Sequence, residues 1–339
     1  MKVTVFGSGA WGTAIALLMR DNGHSVTLWS KFEDEADNLR RTGKNPLLEG
    51  IKIHKDIIIT ADTGAAANGA DAAVIAVPSF AVRETAKELQ GKLTGDCVAI
   101  CMSKGIEKDT SGLFTDILRD EFGEKAPIAS VSGPTHAEEV ALRIPTACVA
   151  ASKDDAVAKQ VQDMLMNEYF RVYTSTDVVG VELGAALKNV IALSAGICDG
   201  LGYGDNTIAM LMTRGLAEMA ELCVRMGGQK KTLAGLAGLG DLIVTCMSRH
   251  SRNRRAGVLI GKGMTVEEAM REVGAVVEGY YAAKAARELS TSMDVGMPIC
   301  TETYKVLYEG KNPLESTRDL MNRGGRSEED TGEETWVNR

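Results

Sequence analysis

Three glycines near the start of the chain restrict its fold more than any other feature. In MKVTVFGSGAWGTAIALLMRDNGHSVTLWSK, Gly7, Gly9 and Gly12 stand at G-x-G-x-x-G spacing. A mostly apolar run, KVTVF, precedes them and a helical pattern follows. A second β-prone run, SVTLW, closes a unit of about 30 residues, as a βαβ unit requires. Gly7 permits the tight turn, Gly9 lets a pyrophosphate approach the backbone, and Gly12 lets the helix pack closely on the strand. The helix N-terminus offers N–H groups and a partial positive charge to phosphates. In that setting the turn, with Ala10 and Trp11 inside it, is read as a dinucleotide site.

The alternation continues through KVTVFG, SVTLW, DIIIT, DAAVIAVP, CVAICMS, PIASVSG, TACVAAS and RVYTST, with amphipathic stretches such as FAVRETAKELQGKL between them. Runs apolar on both faces suit buried parallel strands. Strands alternating with helices imply an α/β doubly wound sheet. After residue 175 the texture changes. VVGVELGAALKNVIALSAGICDGLG and NTIAMLMTRGLAEMAELCVRMGG read as two long helices, and TVEEAMREVG and EGYYAAKAARELSTSM continue the helical pattern. The expected organisation is a Rossmann domain over 1–175, an all-α domain over 176–325, and a flexible charged tail over 326–339 carrying Trp336.

The formal net charge of -8 argues against nucleic acid as a partner, since phosphate backbones are held by clustered Lys and Arg. The seven cysteines form no C-x-x-C pair and fit neither a disulfide framework nor a metal site. They read as small hydrophobes in a reduced, cytoplasmic compartment. The apolar N-terminus is read as a strand rather than a signal peptide, and no run of about 18 apolar residues stands out as a membrane span.

An anionic ligand would need a local basic cluster, and SRHSRNRRAG supplies one. Arg249, His250, Arg252, Arg254 and Arg255 fall within a short segment read as a loop, with Ser251 and Asn253 as neutral donors. Arginine offers charge-assisted, bidentate hydrogen bonds to phosphate. A small phosphorylated substrate fits this cluster; RNA would call for aromatic platforms that the segment lacks. Lys188 stands in GVELGAALKNVIALSAG with small or apolar neighbours at helical spacing. Desolvation lowers a lysine pKa, which suits a general acid/base; a lysine snorkelling out at the helix edge is the alternative. At the end of the second strand, Trp29-Ser30-Lys31 replaces the acidic residue usual in NAD sites. Lys31 would welcome a 2′-phosphate, so NADP(H) is the expected cofactor, with NAD(H) as an alternative.

Together these segments resemble the bacterial-type NAD(P)-dependent sn-glycerol-3-phosphate dehydrogenase family. GSGAWGTA, VIAVPS, SKGIE, SGPTHAEEV, ELGAALKNVIAL, GLGYGDNT, TRGLAEM, GLAGLGDLIVTC, SRNRRAG and VVEGYYAAK run in the family's order to about residue 325. The resemblance implies a site in the cleft between a Rossmann domain and a helical domain. It implies interconversion of dihydroxyacetone phosphate and sn-glycerol 3-phosphate, feeding phospholipid synthesis; separately, a homodimer is expected, the Ala- and Met-rich helices serving either as its face or as internal core. By motif, Lys188 matches the catalytic proton donor and acceptor, and Asp241 an acidic residue near it. Lys104 matches a lysine that contacts substrate and cofactor. Gly133, Thr135, Ser251, Arg252 and Asn253 match substrate contacts, the last three at the phosphate end. Ala137, Arg252, Val276 and Glu278 match cofactor contacts, beside Gly7, Gly9, Ala10, Trp11, Gly12 and Lys31.

Two departures stand out. Ala10 replaces the family's usual serine, which removes a hydroxyl contact to the cofactor. Ile208 follows GYGDNT where many relatives carry lysine. Other readings share the plan. The β-hydroxyacid and 6-phosphogluconate dehydrogenases also join a Rossmann domain to a helical domain with a Lys–Asn pair, but SRNRRAG and GLAGLGDL favour glycerol phosphate. A non-catalytic NADP sensor would be expected to lack Lys104, Lys188 or Asp241, and all three are present.

Overall fold

Each of the eight apolar runs becomes a strand in the computed structural model, which describes residues 1–108, 110–325 and 327–328. Apart from residues 327 and 328, the expected tail lies outside the described residues, Trp336 included. The first unit comprises Met1–Lys104 and Gly112–Val178. Its elements are β1 (Lys2–Phe6), α1 (Ala10–Asp21), β2 (Ser25–Trp29), α2 (Glu33–Thr42), β3 (Ile58–Thr60), α3 (Thr63–Ala67), β4 (Ala72–Ile75), α4 (Val82–Leu89), β5 (Val98–Cys101), α5 (Phe114–Phe122), β6 (Ile128–Ser132), α6 (Ala137–Ala141), β7 (Thr146–Ala151), α7 (Asp155–Leu165) and β8 (Phe170–Ser175).

The strands form one sheet in the order β3-β2-β1-β4-β5-β6-β7-β8. Both faces are covered, as the unbroken apolar runs demand. On one face Val3, Val5, Val26 and Leu28 pack with Ile15 and Met19 of α1 and Val161 and Leu165 of α7. On the other, Phe6, Trp29 and Ile75 pack with Val82 and Leu89 of α4 and Phe114 of α5. Burying each such side chain contributes about 1.5–3 kcal/mol.

The sheet is parallel from β3 to β6, but β7 runs antiparallel to β6, and β8 follows β7. The link between β6 and β7 holds only the five-residue α6. It supplies no longer helix of the kind that usually carries the crossover between parallel neighbours. The chain turns back instead.

The second unit comprises Gly105–Ser111 and the chain from Val179 onward. Its helices are α8 (Val178–Gly200), α9 (Asp205–Arg225), α10 (Lys230–Leu233), α11 (Asp241–Met247), α12 (Arg252–Gly261), α13 (Val266–Val273), α14 (Glu278–Ser292), α15 (Pro298–Tyr308) and α16 (Pro313–Met321), with a π-helical turn at Leu236–Gly240. Two sequence readings are corrected here. Val178–Gly200 is, by length and composition, apolar enough to cross a membrane; 94% of its apolar window is buried inside the protein, so it is a core helix. The basic segment is not all loop: Ser251 caps α12, accepting from the Arg254 amide, and the chain is helical from Arg252. Glu218, inside TRGLAEM, is buried and accepts from the amides of Ile299 and Cys300 at the start of α15. Burial pushes its carboxyl up to about 7 against those donors.

All seven cysteines are buried and none is in a disulfide. Burial pushes the thiols of Cys97, Cys148 and Cys246 up to about 12 and that of Cys198 to about 11. The thiolate is the reactive form. The folded chain is therefore expected to leave a disulfide reagent at pH about 8 essentially unconsumed, and the denatured chain to consume it at every cysteine. Rapid reaction of one thiol in the folded chain would contradict that reading.

Candidate active site

The glycine turn meets the requirements of a dinucleotide cradle. Gly7 has φ +120°, and a Cβ there would lie 2.5 Å from the Ala76 carbonyl oxygen at the end of β4. Its N–H donates to the Trp29 carbonyl at the end of β2, 3.0 Å away. A Cβ on Gly12 would lie 1.8 Å from the Gly7 carbonyl oxygen, so only glycine lets α1 come this close. A Cβ on Gly9 would meet nothing within 4 Å, which leaves the approach to the backbone open. Gly9 is the N-cap of α1, and the first turn carries no acidic residue. The turn lies where the strand order reverses between β1 and β4, at the carboxyl ends of the strands, the usual ligand position in such sheets. Trp11 Nε1 is buried there without an acceptor among the described residues. Ala10 and Trp11 are half-buried against the core. These residues fit a dinucleotide.

Also in the first unit, Lys104 Nζ donates to the Gly133 carbonyl, 2.9 Å away, and lies 3.5 Å from Thr135 Oγ1. Thr135 in turn donates to the same carbonyl. Lys104, Gly133 and Thr135 are therefore one cluster at the ends of β5 and β6, and Ala137 opens α6 just beyond. Lys31 is exposed, and ion pairs tie it to Glu84, 3.1 Å away, and to Glu88, both on α4.

In the second unit, Lys188 sits mid-way along α8 and is 5% exposed; Asp241, the first residue of α11, is 1% exposed. Lys188 Nζ donates to Asp241 Oδ1 at 2.6 Å and to Thr245 Oγ1 at 2.8 Å. The π-helical turn and its glycines bring them together. Gly184 lies one turn before Lys188, and a Cβ there would be 2.6 Å from the Ala237 carbonyl oxygen. The close approach of GLAGLGDL to α8 thus needs the glycine of ELGAALK. Thr245 escapes a reading of the sequence; the signal is its i+4 spacing from Asp241, which puts both on one helix face. Thr245 also donates back to the Asp241 carbonyl at 2.6 Å.

A second network orders the neighbouring residues. Asn253 Nδ2 donates to Asn189 Oδ1 at 2.9 Å, and Asn253 Oδ1 accepts from the Gly279 amide at 2.8 Å. This ties α8, α12 and the start of α14, where Glu278 sits, with Val276 just before it. Ser251 and Asn253 are buried. Of the arginines, Arg254 pairs with Asp199 at 2.7 Å. Arg252 is exposed and makes no ion pair among the described residues. Among the described residues no cluster of His, Cys, Asp or Glu is arranged to hold a metal.

The chain is similar along nearly its whole length to known proteins. The family model described as the NAD-dependent glycerol-3-phosphate dehydrogenase N-terminus matches residues 2–158, and that of the C-terminus matches residues 177–318. A glycerol-3-phosphate dehydrogenase (NAD(P)+) of Fusobacterium nucleatum is 47% identical over 330 residues, covering 97% of this chain and 98% of the relative. One of Moorella thermoacetica is 48% identical over 333 residues, covering 98% and 99%. The crystal structure of glycerol-3-phosphate dehydrogenase from Coxiella burnetii superposes with a TM-score of 0.92 at 35% identity, covering 95% of this chain and 99% of that one. A D-mandelate dehydrogenase shares the fold alone, with a TM-score of 0.65 at 15% identity.

Proposed function

The chain belongs to the NAD-dependent glycerol-3-phosphate dehydrogenase family, and on that premise we propose how its residues divide the reaction. It is an NAD(P)-dependent oxidoreductase that interconverts dihydroxyacetone phosphate and sn-glycerol 3-phosphate. The glycine turn of the first unit holds the nucleotide's pyrophosphate, and Lys188 of the second protonates the substrate. When bound, the reduced nicotinamide supplies a hydride to C2 of dihydroxyacetone phosphate. Lys188, as ammonium, donates a proton to the C2 oxygen; in the oxidative direction the neutral amine takes it back. Asp241 and Thr245 accept from Nζ and fix its direction before transfer. Solvent then returns the proton to the amine. Lys104, held by Gly133 and Thr135, stabilises negative charge developing on the same oxygen. Arg252 takes the phosphate, with Ser251 and Asn253 beside it. Gly7, Gly9, Ala10, Trp11 and Gly12 cradle the pyrophosphate, and Lys31, Ala137, Val276 and Glu278 complete the proposed nucleotide contacts.

The observation that carries this reading is the ammonium gripped by a buried carboxylate and a hydroxyl. Such a group is costly to bury for structure alone. The test is oxidation of reduced nicotinamide by a panel of acceptors. Dihydroxyacetone phosphate is expected to turn over at on the order of 10 s⁻¹, with kcat/KM at least about 100-fold above that of unphosphorylated dihydroxyacetone. A preference for 2-dehydropantoate or another 2-keto acid would overturn it.

We place the protein in the cytoplasm, as a homodimer that supplies phospholipid synthesis. Exposed Met210, Val224, Ile243 and Met247 on α9 and α11 support a second copy as partner. A one-chain mass in sedimentation would count against the dimer.

A further inference from the structure

The nucleotide end of the first unit contains a carboxylate that sequence spacing did not single out. Glu35, in the first turn of α2, folds back to the glycine turn. Its Oε2 accepts from Ser8 Oγ, between Gly7 and Gly9, at 2.9 Å, and from Ser30 Oγ, the residue after β2. Asn45 supports the same turn, donating to the Ser8 carbonyl and to Thr13 Oγ1. Glu35 Oε1 makes no hydrogen bond among the described residues. An acidic residue early in a helix often serves the helix dipole. Glu33 and Asp34 already supply that here, and a bond to the neighbouring loop does nothing for it.

We propose that Glu35 reads the adenosine ribose and gives the enzyme a preference for NAD(H) over NADP(H). This rests on the functional reading above. In this fold an acidic group at the end of the second strand accepts from the ribose 2′-hydroxyl. Glu35 puts its carboxylate between the strand end and the glycine turn, although it belongs to the following helix. A carboxylate is an acceptor only, so it matches a hydroxyl and repels a 2′-phosphate of about -1.5 to -2 charge. Lys31, which follows Ser30 in the chain, is already paired with Glu84 and Glu88. A 2′-phosphate entering here would face Glu35 and compete with two carboxylates for that lysine.

Calorimetric titration of the full chain with NADH and with NADPH tests this without turnover. The wild type is expected to bind NADH at least about tenfold more tightly, the worth of one hydrogen bond to a charged group. Glu35→Gln and Glu35→Ser should close that gap, through weaker NADH binding and equal or tighter NADPH binding, and Glu35→Asp should keep much of it. Equal or tighter binding of NADPH by the wild type overturns the proposal even if no variant folds. So does a gap that survives in Glu35→Gln. A chain that shows the expected gap yet fails to reduce dihydroxyacetone phosphate removes the functional reading instead. Turnover of that substrate with the wrong nucleotide preference removes only the role of Glu35.

Discussion

Lys188→Ala is expected to lower kcat by roughly 10³-fold, within the range for loss of a positioned proton donor. Nucleotide affinity should change little, because Lys188 is not among the proposed nucleotide contacts. The same substitution should also weaken the fold, which separates this lysine from an ordinary surface acid. Asp241 is 1% exposed and would be left buried with no ammonium beside it. Breaking a buried pair from one side typically costs about 3–5 kcal/mol. Replacing both partners removes the stranded group. Lys188→Ala/Asp241→Ala should therefore regain most of the stability lost in Lys188→Ala and none of the activity. Denaturant unfolding of the two variants beside the wild type measures this. Equal stability for wild type and Lys188→Ala would mean that the pair is not formed as described.

Arg252→Ala should raise KM for dihydroxyacetone phosphate by about 10- to 100-fold, the worth of a charge-assisted hydrogen bond to phosphate. Arg252 is the first residue of α12, next to the Ser251 cap, and its guanidinium is exposed with no ion pair among the described residues. Arg254 stands two residues on and pairs with Asp199. Losing Arg254 should therefore act mainly on stability and Arg252 mainly on KM. Discrimination against unphosphorylated dihydroxyacetone should fall with Arg252→Ala by the same factor as KM rises. An unchanged ratio would place the phosphate elsewhere.

How far the sequence reveals this site varies with the physics of each part. The inner strands are legible because burial on both faces leaves continuous apolar runs, whereas the edge strands β3 and β8 are partly exposed. The glycine turn is legible because three positions there admit no side chain or need none. Lys188 and Asp241 are legible only as separate residues. Their pairing depends on a π-helical turn and on close backbone approach at Gly184, which no local pattern announces. The start of α12 is hidden because its first turn is polar and its buried face begins only with Asn253 and Ala256. The reversal of β7 is hidden because its apolar run reads the same in either strand direction. Glu35 is hidden for a related reason: α2 folds back, so a residue past the strand ends beside Ser8. Lys31 is visible, but its two carboxylate partners come from α4, far away in sequence.

The most direct measurement of the central claim is single-turnover oxidation of prebound NADH by saturating dihydroxyacetone phosphate. It compares the wild type with Lys188→Ala/Asp241→Ala, the variant expected to stay folded. The account predicts a hydride-transfer rate roughly 10³-fold slower in the variant with the nucleotide still bound. Equal rates in the two proteins would contradict it.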